Sequence, residues 1–254
     1  QGIYTPDSNS AVPDGSGDRE VTFQLINGIA LKGGYAGFGE PDPNARGINL
    51  YETVLSGDLE GDDISDFGNY GENSYHVITS SDANADTVFD GFTITAGNAN
   101  ASTPQNRSGG GMFNFIDSDP TVSNCTFRNN TGIYGGAGMF NDDYSDPTVS
   151  NCTFSNNSQV NYGGGIWNGL YSSPLIIGST FIGNSVVSHG GGMFNHRYSE
   201  AKVMDCIFSD NSGTWGGGGG MCNWDYSMPT VANCTFSGNT AIQRGGGMYN
   251  LDYS

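Results

Sequence analysis

The residues with the clearest chemical potential are carboxylates crowded into one short segment. Residues 58–66 read DLEGDDISD, so acidic side chains recur at nearly alternate positions. They are Asp58, Glu60, Asp62, Asp63 and Asp66. A loop that wraps a hard cation supplies oxygen ligands at such spacing, so we predict calcium as the cofactor. The segment departs from an EF-hand, in which glycine would follow Asp62 and glutamate would replace Asn69. A solvated acidic loop is the alternative interpretation.

Residues suited to catalysis are few in the second half of the chain. His196 and Arg197 lie beside a column of aspartates and form the best candidate pair for acid or base chemistry. A glycan-cleaving enzyme needs a carboxylate pair, or a base beside bound calcium. Because the repeats described below are regular, without the local break that an active site usually introduces, we assign no catalytic residue and predict a protein that is not an enzyme.

Two columns of aromatic residues recur along the same half of the chain. The first contains Phe113, Phe140, Trp167, Phe194 and Tyr249, with Cys222 in one place. The second contains Tyr144, Tyr171, Tyr198, Tyr226 and Tyr253. Aromatic side chains exposed in a row are typical of a surface that binds sugars or another protein. In the alternative interpretation the rings stack on one another to stabilise the fold, or the first column belongs to the core.

Asparagine and cysteine also recur in columns. Side chains of asparagine stacked in register can hydrogen-bond along the column, so a structural role is predicted for both asparagine sets. They are Asn114, Asn141, Asn168, Asn195, Asn223 and Asn250, and then Asn130, Asn157, Asn184, Asn211 and Asn239. The cysteine pairs Cys125/Cys152 and Cys206/Cys234 are predicted to remain buried free thiols. Parallel strands hold equivalent Cβ atoms about 4.8 Å apart, beyond the usual disulfide range.

These columns exist because the sequence repeats. A glycine block followed by an apolar residue occurs six times, with steps of 27, 27, 27, 28 and 27 residues. The apolar residues are Met112, Met139, Ile166, Met193, Met221 and Met248. A fixed period of this length is typical of a stacked repeat architecture rather than of one globular core.

Each unit contains the pattern of three short strands. Val122 is followed after three residues by Cys125, and then after two by Phe127. A spacing of two keeps side chains on one face of a strand, whereas a spacing of three requires a turn, which we place near Asn124. Strands stacked in register bury their inner faces against neighbouring coils. The prediction is an all-β, three-sided parallel solenoid with about 27 residues per coil.

The paired motifs resemble known repeats. The glycine blocks and the phased FxxN elements resemble the GGA[ILV] and FxxN repeats of polymorphic outer-membrane proteins, and also secreted β-helices of the pectate-lyase-like group. The FxxN elements are Phe127–Asn130, Phe154–Asn157, Phe181–Asn184, Phe208–Asn211 and Phe236–Asn239. The resemblance implies a right-handed parallel β-helix that is secreted or on the cell surface. It implies no particular reaction.

One continuous domain is predicted, in two parts. Residues 1–108 form irregular coils interrupted by inserted loops at 34–50 and 57–74, and residues 109–254 form the regular repeats. Inserted loops of that length often carry function. Because Gln1 begins as if within a strand and Ser254 falls inside a coil, we expect the chain to be a piece of a longer protein or a processed form.

Charge narrows the choice of partners. Eight basic against 26 acidic residues give a net charge of −18, which argues against nucleic acids and anionic membranes as partners. No apolar run reaches membrane-spanning length. The predicted function is a non-catalytic extracellular or cell-surface structural or adhesive rod, assembling end to end into a filament, surface layer or matrix. Its partners would be its own copies, other matrix or surface components, or polysaccharide. The alternative is a secreted protein that binds or degrades polysaccharide.

Overall fold

The computed structural model describes residues 1–158 and 160–254, which form a right-handed parallel β-helix. Three long sheets run along it, and all their strand pairs are parallel. Sheet 1 contains Ala30–Lys32, Val88–Asp90, Thr121–Ser123, Thr148–Ser150, Leu175–Ile177, Lys202–Met204 and Thr230–Ala232. Sheet 2 contains Gly2–Tyr4, Thr53–Ser56, Thr93–Thr95, Thr126–Arg128, Thr153–Ser155, Thr180–Ile182, Ile207–Ser209 and Thr235–Ser237. Sheet 3 contains Phe23–Gln24, Ile78–Ser81, Met112–Phe115, Met139–Asp142, Ile166–Asn168, Met193–His196, Met221–Trp224 and Met248–Leu251.

Shorter elements lie between these sheets. Sheet 4, located between sheets 2 and 3 of each coil, contains Val160–Tyr162, Ser185–His189, Ser212–Gly213 and Thr240–Ala241. A two-stranded pair joins Asn98–Ala99 to Thr131–Gly132, and two 3-10 turns span Ser65–Phe67 and Gln105–Arg107. The predicted three-sided coil is therefore confirmed, and sheet 4 is an addition that the sequence pattern did not reveal.

The core is a set of side-chain columns in register. Met112 pairs with Met139, and Phe127 pairs with Phe154, as the repeat predicted. The buried phenylalanine rings stack with centroids 4.8 Å apart for Phe127 and Phe154, and 4.5 Å apart for Phe181 and Phe208. Each coil thus buries its apolar face against the coils on either side, which a single strand could not do.

The corners follow from residues that tolerate the left-handed backbone region. Asn124 has a φ of 52°, and the equivalent corner of the next coil, Asn151, has the same value. Asparagine adopts this region more readily than most residues do. The turn predicted near Asn124 is therefore confirmed.

The glycine blocks allow successive coils to approach closely. A Cβ atom added to Gly192 would lie 2.6 Å from the carbonyl oxygen of Gly220 in the next coil and 2.9 Å from the Phe208 ring. No side chain larger than hydrogen fits such a separation without moving the backbone. The glycine is therefore required by coil stacking rather than by a ligand.

Asparagine ladders and free thiols complete the interior. The Asn130 column continues through Asn157, Asn184, Asn211 and Asn239 by side-chain hydrogen bonds of 2.9–3.1 Å. The Asn114 column forms the equivalent bonds at 2.7–2.8 Å. All five cysteines are free thiols, and burial raises the pKa of Cys206 to about 11. The predictions of structural ladders and unpaired thiols are confirmed.

The irregular first part shares the sheets of the regular part. Gly2–Tyr4 pairs with Thr53–Ser56, which pairs in turn with Thr93–Thr95. The insertion at 34–50 is fixed by Arg46, whose guanidinium lies 2.6 Å from the Asp90 carboxylate. The sheets therefore pass through both parts without a break.

Candidate functional site

An exposed ladder of five tyrosines runs along the turn that follows sheet 3. Adjacent rings have centroids 5.1–5.3 Å apart and planes within 12° of one another. The members are Tyr144, Tyr171, Tyr198, Tyr226 and Tyr253, between 42% and 79% exposed. Because the ring faces contact one another, the ladder presents ring edges to the solvent. It therefore offers a repeating edge to a partner rather than free faces for stacking sugars.

The other predicted aromatic stripe is not exposed, and the structure corrects that prediction. The column points away from the main core, but Phe140, Trp167 and Phe194 are buried, as is Cys222. Phe113 and Tyr249 pack against this cluster and are only partly buried. The segments that lead into sheet 3 fold over the column and create a second core. The sequence feature that could have predicted this burial is an aromatic residue immediately before a glycine block, as at Tyr134 and Tyr162.

A groove opens at one end of this second core. It has a volume of about 390 Å³ and lies between the rings of Phe113, Phe115 and Tyr134. Asp142 and Arg107 supply its charged groups, and the Arg107 guanidinium lies 5.3 Å from the centre of the Tyr134 ring. Aromatic walls with a few polar groups are typical of small-molecule sites, which occupy about 300–1,000 Å³.

Asp142 is the titratable group of this groove with the most altered environment. Burial raises its pKa to about 6, against the opposing effect of a hydrogen bond from the Asp143 backbone. Trp167 lies close by, and no described residue accepts a hydrogen bond from its indole nitrogen. A side chain at Gly169 would collide with both Asp142 and Trp167, so both groups border the space that this glycine leaves.

Replacing Asp142 with asparagine should stabilise the protein at neutral pH but not at acidic pH. In the folded state the carboxyl binds its proton up to a pH of about 6, whereas the ordinary value is 3.8. The wild-type protein therefore loses stability as pH rises from about 4 to 6, and the variant avoids that loss. Melting temperatures at pH 4 and pH 7.5 test this. The exposed Asp86→Asn variant is the control, and an equal change at both pH values for Asp142→Asn would contradict the assignment.

The candidate catalytic pair lies in an aromatic setting. The His196 imidazole packs 5.4 Å from the Trp167 ring and 5.6 Å from the Trp224 ring, and its Nε2 lies 3.8 Å from Asp225 Oδ2. Burial lowers its pKa to about 4, with the Arg197 charge contributing in the same direction. The imidazole is therefore neutral at physiological pH. Arg197 is exposed at the corner that precedes Tyr198.

The predicted calcium loop brings together only part of its carboxylates. One oxygen from each of Asp58, Asp62, Asp63 and Glu72 lies within 4.8 Å of the others. The Asp58 carboxylate accepts hydrogen bonds from the backbone N–H groups of Gly61, Asp62 and Asp63 at 2.6–3.3 Å. This turn folds the segment back on itself and positions the neighbouring acids.

Two of the five predicted ligands, Glu60 and Asp66, lie outside this cluster. Both side chains are exposed, and Asp66 occupies a 3-10 turn with a φ of 60°. Glu72 takes part instead and was missed, because it stands apart from the run of alternating acids. Burial raises the pKa of Asp63 to about 7 and also raises that of Glu72.

Comparison with known proteins bears on the fold. A family model described as a right handed beta helix region matches residues 44–236. No curated protein and no solved structure gives a significant match to the chain. Within the described residues, no helix has the length and apolar character needed to cross a membrane. The family match covers 193 of the 254 residues and includes coils from both parts of the chain.

Proposed function

Because the chain belongs to the right-handed β-helix family, we propose that it is a non-catalytic structural or adhesive rod. Its place of action is outside the cell or at the cell surface. The location rests on the resemblance of the phased glycine and FxxN motifs to secreted and surface repeat proteins. The fold alone does not decide between an enzyme and a structural protein, so the proposal depends on the side chains.

The observation that carries the proposal is the continuity of the side-chain columns. Asparagine and phenylalanine ladders pass through consecutive regular coils, and the tyrosine ladder runs from Tyr144 to Tyr253. Such columns fix the spacing between coils and produce a stiff rod with a repeating surface. The exposed tyrosine ladder is the natural contact surface for an extended partner, because aromatic area in a row contributes strongly to binding.

The chemistry of the histidine site supports a non-catalytic role. His196 is enclosed by Trp167 and Trp224, and its nearest carboxylate oxygen is too distant for a direct hydrogen bond. An imidazole with a pKa lowered to about 4, and with no orienting hydrogen bond among the described residues, is a weak general base.

End-to-end association with other copies is part of the proposal. Each coil already contacts the next through parallel strands in register, as Phe154 does with Phe181. A second copy of this chain can offer the same strand edge, and exposed parallel edges favour such pairing.

Light scattering and electron microscopy test association, and a product assay tests catalysis. We expect particles whose mass rises with protein concentration, and no release of reducing ends or unsaturated products from a panel of acidic and neutral polysaccharides. A strict monomer at every concentration would contradict association. Steady product release that His196→Ala abolishes would contradict the non-catalytic role.

The groove beside Tyr134 favours a second candidate, the binding of polysaccharide. Its ring walls and the Asp142 and Arg107 side chains provide apolar contact together with hydrogen-bonding groups. A binding assay on the same polysaccharides, immobilised on a support, distinguishes this candidate from the structural rod. Retention that is lost in Tyr134→Ala and kept in the exposed control Trp215→Ala would favour this candidate.

A further inference from the structure

Buried oxygen atoms without hydrogen-bond partners accompany the acidic cluster of Asp58, Asp62, Asp63 and Glu72. Asp63 Oδ1 and Glu72 Oε1 are both inaccessible to solvent, and neither has a hydrogen-bond partner among the described residues. A buried carboxylate oxygen without a partner is costly, because it has lost its hydration and gained nothing in exchange. Two such atoms in one cluster of four carboxylates are suited to a positively charged ligand.

An uncharged side chain next to the cluster gives an independent indication. Asn73 is completely buried, and its Nδ2 donates to Asp63 Oδ2 at 2.9 Å and to the Ala96 carbonyl at 2.6 Å. The Oδ1 atom of the same amide group has no hydrogen-bond partner in residues 1–158 and 160–254. The amide group is therefore held against Asp63 with its oxygen unused, and amide oxygen is a common ligand of hard cations.

Arg19, a basic side chain whose charge interacts with Glu72, is already engaged with other groups. Arg19 donates to the carbonyl oxygens of Asn73 and Asn98 and to the side chain of Asn100, and its guanidinium stacks over Tyr75. The ion pairs found among the described residues do not include any of the four clustered acids. Within the part of the chain that the structure describes, no ion pair therefore neutralises the cluster.

We propose that Asp58, Asp62, Asp63 and Glu72, with Asn73, bind one calcium ion that fastens the 57–74 insertion to the solenoid. Calcium bonds to oxygen at about 2.3–2.6 Å, so ligands on opposite sides of it lie about 5 Å apart. The four carboxylate oxygens of the cluster all lie within 4.8 Å of one another, which agrees with that ligand separation. Magnesium needs a tighter octahedron, with opposite ligands about 4 Å apart.

The ion would reinforce contacts that already join the insertion to the coils. Tyr70 receives a hydrogen bond on its carbonyl oxygen from Asn98 at 2.5 Å, and its hydroxyl donates to the Asn129 carbonyl at 3.2 Å. Asn73 connects the cluster to Ala96. Calcium binding would thus couple the insertion to sheet 2. This inference depends only on the loop and holds whether or not the rod is adhesive.

The proposal is tested by calorimetric titration of the full chain with calcium chloride. Divalent ions are first removed with a chelator. We expect one saturable site per chain and a higher melting temperature when it is filled. Glu72→Gln should weaken calcium binding at least tenfold. Asp66→Asn and Glu60→Gln are the matched controls, because both remove one negative charge from the same loop outside the cluster, and they should change affinity less than twofold.

The outcomes separate a built site from general attraction to an acidic protein. Circular dichroism without calcium should show that Glu72→Gln is folded, since the substitution removes repulsion among the acids. The proposal is overturned if no saturable binding occurs at millimolar calcium. It is also overturned if the controls lose as much affinity as Glu72→Gln, or if Glu72→Gln binds as well as the wild-type protein.

Discussion

Replacing Asn184 with alanine should lower the free energy of unfolding by about 3–5 kcal/mol, because it removes four buried hydrogen bonds, each worth about 0.5–1.5 kcal/mol. The Asn184 side chain donates to the Phe154 carbonyl and to Asn211 at 2.9 Å. Its oxygen accepts from both the backbone and the side-chain nitrogens of Asn157. The substitution therefore removes four buried hydrogen bonds and leaves the backbone N–H of Asn157 without its acceptor, whereas Asn157 Nδ2 and Asn211 Oδ1 each keep one other hydrogen bond.

Urea unfolding followed by circular dichroism measures this loss. Asn44→Ala is the control, because Asn44 is exposed in an inserted loop and should change stability by less than about 0.5 kcal/mol. A loss below about 1 kcal/mol for Asn184→Ala would show that the asparagine ladder does not hold the coils together.

Phe181→Ala should cost about 3–5 kcal/mol, the usual range for removing a buried phenylalanine ring. Phe181 has no exposed surface and lies between Phe154 and Phe208, with centroids 5.0 and 4.5 Å away. Because the coils above and below are held by backbone bonds, they have little freedom to close the cavity.

Tyr198→Ala is the informative comparison. Tyr198 also lies between two stacked rings, 5.1 and 5.3 Å away, but 45% of it is exposed. Its loss should cost about 1 kcal/mol, since an aromatic pair adds about 0.5–1.5 kcal/mol beyond burial. The same urea experiment measures both variants. If Tyr198→Ala costs as much as Phe181→Ala, the tyrosine ladder serves the fold rather than a partner.

Much of the fold could be predicted because the information is local and repeated. The spacing from Val122 to Cys125 located the corner at Asn124, and the period of 27 placed Met112 beside Met139. Each unit encodes only a few strands and turns, and stacking in register then determines which residues meet.

The site was harder to predict because it depends on segments outside that regular pattern. Side chains alternate between the two faces of a strand, and Trp167 accordingly points away from the main core. That alternation could not show that Tyr134 and Tyr162 pack over Trp167. In the acidic loop, the backbone follows no regular period. The spacing of acids therefore could not show that Glu72 approaches Asp63 while Asp66 turns away.

The sequence by itself determined the coil, its period, its corners and its ladders, because those properties arise from short patterns that each neighbouring coil repeats. Only the tertiary structure decided which aromatic residues remain exposed and which carboxylates converge. Both depend on how irregular segments pack against the finished solenoid, and that packing joins residues whose separation in the chain follows no repeat.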